Sequence, residues 1–167
     1  INKSYGLELS NGVDVFMKAN AKENVSFFLT EVNNLWAIQQ TNSLRTPNVF
    51  AYGTDNGEEV GYSFLLMEYI PEVRPEGKFW ESLALGLAEL HKADIKKIFP
   101  EEKFGFFEDN FIGRTKQINS PKENWIDFFR ENRLLPQFKL AEKYFSKDDV
   151  NKFDKILKQR FFQIWLF

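Results

Sequence analysis

What this sequence has little of narrows its chemistry first. Its 167 residues contain no cysteine, so disulfides, thiolate nucleophiles and cysteine zinc sites are excluded. A single histidine, His91, rules out histidine-cluster metal sites. No charge of one sign dominates: 22 Lys and Arg stand against 24 Asp and Glu, a net charge of −2. That gives no basic field to recruit nucleic acid or anionic lipid, and no nucleic-acid module pattern is visible. No apolar run approaches the roughly 20 residues of a membrane span. The opening INKSYGLELSNG lacks the apolar centre of a signal peptide, so a cytoplasmic location is the default expectation.

What is present suits a soluble, ring-packed fold. Hydrophobic residues make up 43% and charged residues 28%, with 19 phenylalanines, so the core is expected to pack large rings. The first part reads as β. YGLELSNG and VDVFMKAN alternate as two strands around the turn Ser10-Asn11-Gly12. Glu23 to Gln40 reads as a helix, with Phe27, Phe28, Glu31, Leu35 and Ile38 at helical spacing and Asn24 as its cap. NVFAYG and GYSFLLMEYI follow as two strands about Thr54-Asp55-Asn56-Gly57.

After Pro71 the character changes. PEVRPEGK reads as a connector and FWESLALGLAELHK as a helix. FGFFEDNFIGRTKQINSPKEN reads as irregular, whereas WIDFFRENRLLPQFKLAEKYF and DDVNKFDKILKQRFF read as helical. The fold class is therefore α+β. An N-terminal antiparallel sheet with one helix fills residues 1–67, a hinge or connector 68–78, and the start of a helical lobe 79–167.

The order strand–lysine, helix–glutamate, two strands, apolar connector has a specific chemical use. Alternate strand residues share a face, so Lys18 points the same way as Phe16. A strand lysine can hold the α- and β-phosphates of a nucleotide when a helix carboxylate aims it. Glu31 lies on an apolar helix stripe, where a carboxylate is costly unless paired, and Lys18 is its natural partner. The strand Phe64–Met67 runs into an extended connector, Glu68, Tyr69 and Ile70, whose backbone C=O and N–H can pair with the edge of an adenine. On the residues alone, Lys18 and Glu31 read equally well as a structural ion pair.

VFMKAN, the helix segment Phe28-Leu29-Thr30-Glu31, LLMEYI, LALGLAELH, FGFFEDNFIG, Gln117 and Asn119 of TKQIN, and WIDFFRENRLLPQ together resemble the fructosamine (ketosamine) kinase family. The likeness runs to about Gln159. The resemblance implies a protein-kinase-like fold, related to the aminoglycoside phosphotransferases, and ATP-dependent phosphorylation of a ketosamine sugar hydroxyl. By matching position it implies that Lys18 binds the α/β-phosphates and Glu31 holds it. Met67 would line the back of the adenine pocket, with the Glu68 C=O and the Ile70 N–H as adenine contacts. Asp109 and Asn110 match a block that leaves a substrate-side role open. The acceptor would be a small ketosamine or a glycated protein.

The family's HGD-x-x-x-GN-type loop, with its catalytic aspartate and the ligands of Mg²⁺, has no counterpart here, for no Gly-Asp pair occurs anywhere in the sequence. No catalytic residue and no metal ligand are therefore expected within these residues. The ending FFQIWLF, six apolar residues in seven, adds to the expectation of a piece of a longer enzyme, inactive alone. Two rival readings are a kinase of another small alcohol, such as an aminoglycoside or choline, and a non-catalytic nucleotide-binding or interaction remnant.

Ordinary structural roles are expected elsewhere. His91 reads as a cation at a helix C-terminus or as a core histidine, Asp148-Asp149 as a helix start, and Asp109-Asn110 as a turn-forming pair. Trp125, Phe128, Phe129, Leu134 and Leu135 read as core. Arg130 and Arg133 could anchor a phosphate, but read better as solvating a helix face.

Overall fold

A computed structural model describes residues 2–55, 57, 61–94, 96, 98, 99 and 103–158; the apolar ending FFQIWLF lies outside them. The chain divides into two compact units, Ile1–Ile98 and Phe99–Phe167.

In the first unit, β1 (Lys3–Glu8) and β2 (Asp14–Ala21) form a hairpin, followed by α1 (Val25–Gln40), β3 (Val49–Thr54), β4 (Tyr62–Glu68) and α2 (Phe79–Lys92). The expected turn closes the hairpin. Gly12 takes φ +78°, its N–H donates to the Leu9 C=O at 2.8 Å, and Asn11 Oδ1 accepts the Val13 N–H at 3.1 Å. The four strands pair antiparallel in the order β1-β2-β4-β3. Phe16 and Lys18 stand opposite Met67 and Leu65 on β4, so all four share one face. On that face Phe28, Leu65 and Met67 form a buried cluster, with Phe16, Val32 and Val49 packed around it. Burying such side chains, about 1.5–3 kcal/mol each, is what clamps α1 to the sheet.

Asn24 stands before α1 as expected, but its side chain does not cap the helix. It donates instead to Asn20 Oδ1 at 3.1 Å, joining the end of β2 to the start of the helix. His91 falls in the last turn of α2 and is exposed, so it is not a core histidine.

The second unit holds a hairpin of two short strands, β5 (Asn110–Ile112) and β6 (Thr115–Gln117), in a stretch expected to be irregular. Next come α3 (Trp125–Phe129), a π-helical turn Arg130–Leu134, α4 (Leu135–Ala141) and α5 (Lys147–Lys158). The π turn has a local cause. Pro136 has no N–H to offer the carbonyl four residues back, that of Asn132, and its ring crowds that carbonyl. The Asn132 C=O instead accepts from the Arg133 guanidinium at 2.9 Å. Asn124 caps α3 through the Asp127 N–H at 2.9 Å. At α5, Ser146 and Asp149 cap each other's N–H groups, so the acidic pair does mark a helix start while Ser146 is the cap. Phe138 stacks on Phe153 at 3.7 Å between ring centroids.

Two expectations for this unit need correction. Phe128 is buried, but Trp125 remains 41% exposed, its ring stacked beside Phe129 at 5.5 Å rather than enclosed. Arg133 does not merely solvate a helix face. Its guanidinium donates to the Ile118 C=O at 2.6 Å and to Asn119 Oδ1 at 2.6 Å, and sits 4.5 Å from the centre of the Phe128 ring. Arg130 is engaged as well, with Asp127 at 2.7 Å and Glu131 at 2.8 Å.

Candidate functional site

The site is built on the α1-covered face of the first unit's sheet. Lys18 Nζ donates to Glu31 Oε1, joining a strand to a helix across 13 residues. Both side chains are about three-quarters enclosed, at 27% and 29% exposure, so neither is an ordinary surface charge. An ammonium has three N–H donors and the bond to Glu31 Oε1 uses one, which leaves donors for an anionic ligand. The pair borders the buried Leu65 and Met67. Low local polarity strengthens the attraction and fixes the ammonium in place.

Beyond Met67 the backbone enters the connector. Glu68 ends β4, and its N–H donates to the Asn48 C=O at 2.8 Å. Its side chain turns back to the loop before β3. Oε1 pairs with Arg45, and Oε2 accepts from the Asn48 N–H at 3.2 Å and from Asn48 Nδ2 at 3.1 Å. Tyr69 lays its ring against β1 at Gly6, where a β-carbon would lie 3.3 Å from the ring edge. Ile70 is 49% exposed, and among the described residues nothing accepts its N–H. Lys18, Glu31, Met67, Glu68, Tyr69 and Ile70 thus all belong to one unit. A cavity of about 480 Å³ lined by Lys3, Tyr5, Met17, Ala19, Tyr62 and Phe64 lies on the sheet's other face and does not include Lys18.

Asp109 and Asn110 belong to the second unit and do not form the expected turn: Asn110 opens β5, paired with Gln117 on β6, and Asp109 directly precedes it. Asp109 Oδ1 accepts the Asn119 N–H at 2.8 Å and Oδ2 pairs with Lys116 at 3.1 Å. The Asn119 N–H, then Lys116, hold the Asp109 carboxyl below its ordinary range. Asn110 Oδ1 accepts from Gln117 Nε2 at 2.9 Å. Asn119, 2% exposed, also donates to the Glu108 C=O at 2.9 Å. Glu131 is likewise held low, by Lys122 first and Arg130 second. Burial lowers the Arg133 pKa. These residues engage one another as a framework does, although Gln117 Oε1 is buried without a partner. Among the described residues no three carboxylates or imidazoles gather as a metal set, and no helix is long and apolar enough to cross a membrane.

Sequence reasoning singled out neither Arg45 nor Asn48. The signal was slight, an asparagine after Pro47, because their partner lies 20 or more residues away.

A family model described as fructosamine kinase matches residues 1–163. The chain belongs to the fructosamine kinase family. Among relatives of this fructosamine kinase family member, a Vibrio cholerae protein named as a ketoamine kinase is 31% identical over 156 residues, covering 91% of this chain and 51% of its own length. A rice (Oryza sativa subsp. indica) protein named chloroplastic protein-ribulosamine 3-kinase is 35% identical over 137 residues, 81% of this chain and 37% of its own. A Haemophilus somnus 129PT crystal structure bearing the name fructosamine-3-kinase superposes with a TM-score of 0.70 at 25% identity, over 86% of this chain and 50% of that one. The fold is therefore protein-kinase-like, as the motifs implied. This family member spans between 37% and 51% of the length of these relatives.

Proposed function

We propose that this chain supplies the nucleotide-binding half of a kinase that phosphorylates a sugar hydroxyl of a ketosamine, free or protein-bound, at the expense of ATP. The observation that carries the proposal is the Lys18–Glu31 pair, three-quarters enclosed on an apolar sheet face beside an extended connector. In this reading Glu31 aims the ammonium and Lys18 holds the α/β-phosphates. Met67 backs the adenine, while the Glu68 C=O and the Ile70 N–H contact its edge. Residues 1–67 are the N-lobe, 68–78 the hinge and 79–167 the first part of the helical lobe.

The residues present suit ATP. Lys18 keeps donors beyond the one Glu31 takes, and the Ile70 N–H has no partner among the described residues. Mg²⁺, when bound, neutralises charge on the phosphates. Its ligands and the catalytic aspartate belong, in this proposal, to the rest of the full-length protein, so the 167 residues alone are inactive. Asp109 and Asn110 are assigned to the framework, because their side chains are already engaged. The cytosol is the proposed location. The ketoamine and ribulosamine names of the relatives favour a ketosamine acceptor over an aminoglycoside or choline.

The test is phosphate transfer from Mg-ATP by the full-length protein, measured with a ketosamine, an aminoglycoside and choline side by side. Transfer to the ketosamine at a kcat/KM at least about ten times that of either rival, a difference of roughly 1.4 kcal/mol, supports the proposal. Preference for a rival moves the protein to another small-alcohol kinase, and transfer to none makes it a non-catalytic nucleotide-binding or interaction remnant.

A further inference from the structure

The residue whose carbonyl is assigned to the adenine edge is also the most heavily tied residue of the connector. Glu68 and Asn48 share three hydrogen bonds. The Glu68 N–H donates to the Asn48 C=O at 2.8 Å, the Asn48 N–H donates to Glu68 Oε2 at 3.2 Å, and Asn48 Nδ2 donates to that same oxygen at 3.1 Å. Arg45 adds an ion pair to Oε1. Arg45 is 72% exposed, so its share is small and falls with salt. The three Asn48 bonds form a closed ring that fixes both the backbone and the side chain of Glu68.

The loop that carries this ring is itself held at its other end. Thr41, just past α1, accepts from the Ser43 N–H and exchanges a hydroxyl bond with Ser43 at 2.6 Å. Gln39 Nε2 donates to the Pro47 C=O at 3.4 Å. Helix α2 packs onto the loop at Gly86, where a β-carbon would lie 2.5 Å from Leu44 Cδ2 and 3.2 Å from the Ser43 C=O. The loop therefore runs from the C-terminal end of α1, the helix that carries Glu31, to the start of β3, where Asn48 meets Glu68 at the end of β4.

We infer that Asn48, assisted by Arg45, is a positioning residue for adenine recognition. Through the Glu68 carboxylate it holds the connector so that the Glu68 C=O meets the purine 6-amino group. Neither residue touches the nucleotide. This rests on the nucleotide-kinase reading, and it predicts a base-specific effect that a general loss of stability does not produce.

The experiment compares ATP with ITP, which carries a 6-oxo group in place of the 6-amino group and so makes no such bond. With the full-length protein, Asn48→Ala and Glu68→Ala should each raise the ATP KM about tenfold, the loss of roughly one well-made hydrogen bond. Asn48→Ala should leave kcat within about twofold and the ITP KM nearly unchanged, so that discrimination between the nucleotides shrinks. Glu68→Gln, which still accepts from Asn48, should recover most of the ATP affinity, and thermal melts should place all three variants in the folded state. An unchanged ATP KM in Asn48→Ala overturns the inference, as does equal weakening of both nucleotides. A wild-type protein that uses neither nucleotide overturns the kinase reading and this inference with it, an outcome separate from the other two.

Discussion

The two units of this chain use charged and polar residues in opposite ways. In the first, the sheet face under α1 is apolar and one ion pair, Lys18 with Glu31, is set into it. In the second, polar side chains are many and engage each other. Asp109 binds Asn119 and Lys116, Asn119 binds Arg133 and the Glu108 C=O, and Asn110 binds Gln117. Both regions carry motifs that resemble fructosamine kinases, so a distinctive residue need not be a chemical one. The enclosed ammonium has donors to spare. The hairpin residues engage one another, Gln117 Oε1 alone among them being buried without a partner, and removing one unpairs its partners.

Substitutions should separate the two. The largest expected effect is on activity in the first unit. Lys18→Ala in the full-length protein should cut kcat/KM by about 10²–10³ by removing a charge that stabilises the transferring phosphates, while far-ultraviolet circular dichroism stays that of the wild type. A variant with full activity would sever the pair from function. Glu31→Gln should cost less, about tenfold, since the ammonium stays but loses its aim; a loss larger than that of Lys18→Ala would put Glu31 in a different role.

In the second unit the expected effect is on stability. Arg133→Ala leaves the Ile118 C=O and Asn119 Oδ1 without their donor and should cost about 1–3 kcal/mol, read by chemical denaturation. No measurable loss would mean that water replaces the guanidinium at no cost.

The acid limb of stability offers a finer distinction. Asp109 and Glu131 have folded-state pKa values held below their ordinary ones. Their contribution is therefore present above the ordinary carboxylate range, about pH 4, and is lost as pH falls through it and on through the lowered values. Melting temperatures should be flat near neutrality and drop below about pH 4, and Asp109→Asn should make that drop shallower. An unchanged slope would show that the Asn119 and Lys116 contacts do not survive in solution. The smallest effect belongs to Lys152→Ala, which removes an exposed pair with Asp148 and should shift stability by under about 0.5 kcal/mol.

Much of the fold was legible because the first unit writes its pattern in long elements. The Asn11-Gly12 turn, the alternation of β2 and the spacing of α2 each point to one structure, and α2 falls on the expected residues, Phe79–Lys92. The second unit was harder for a physical reason. Strands β5 and β6 are three residues each, too short for alternation to show. The π turn follows from a proline acting four residues back. The depth of Arg133 depends on partners 14 and 15 positions away, which no local pattern carries.

At the candidate site, Lys18 and Glu31 were legible because a carboxylate on an apolar stripe demands a cation. Asn48 and Arg45 were not, since a loop asparagine and an exposed arginine are ordinary until their contact with Glu68 is seen.

The most direct test is calorimetric titration of the full-length protein and its Lys18→Ala variant with ATP and, separately, with adenosine. An ammonium that holds phosphates predicts that the variant loses about a hundredfold in ATP affinity while its affinity for adenosine does not change. Equal affinity of variant and wild type for ATP, or an equal loss for both ligands, would contradict it.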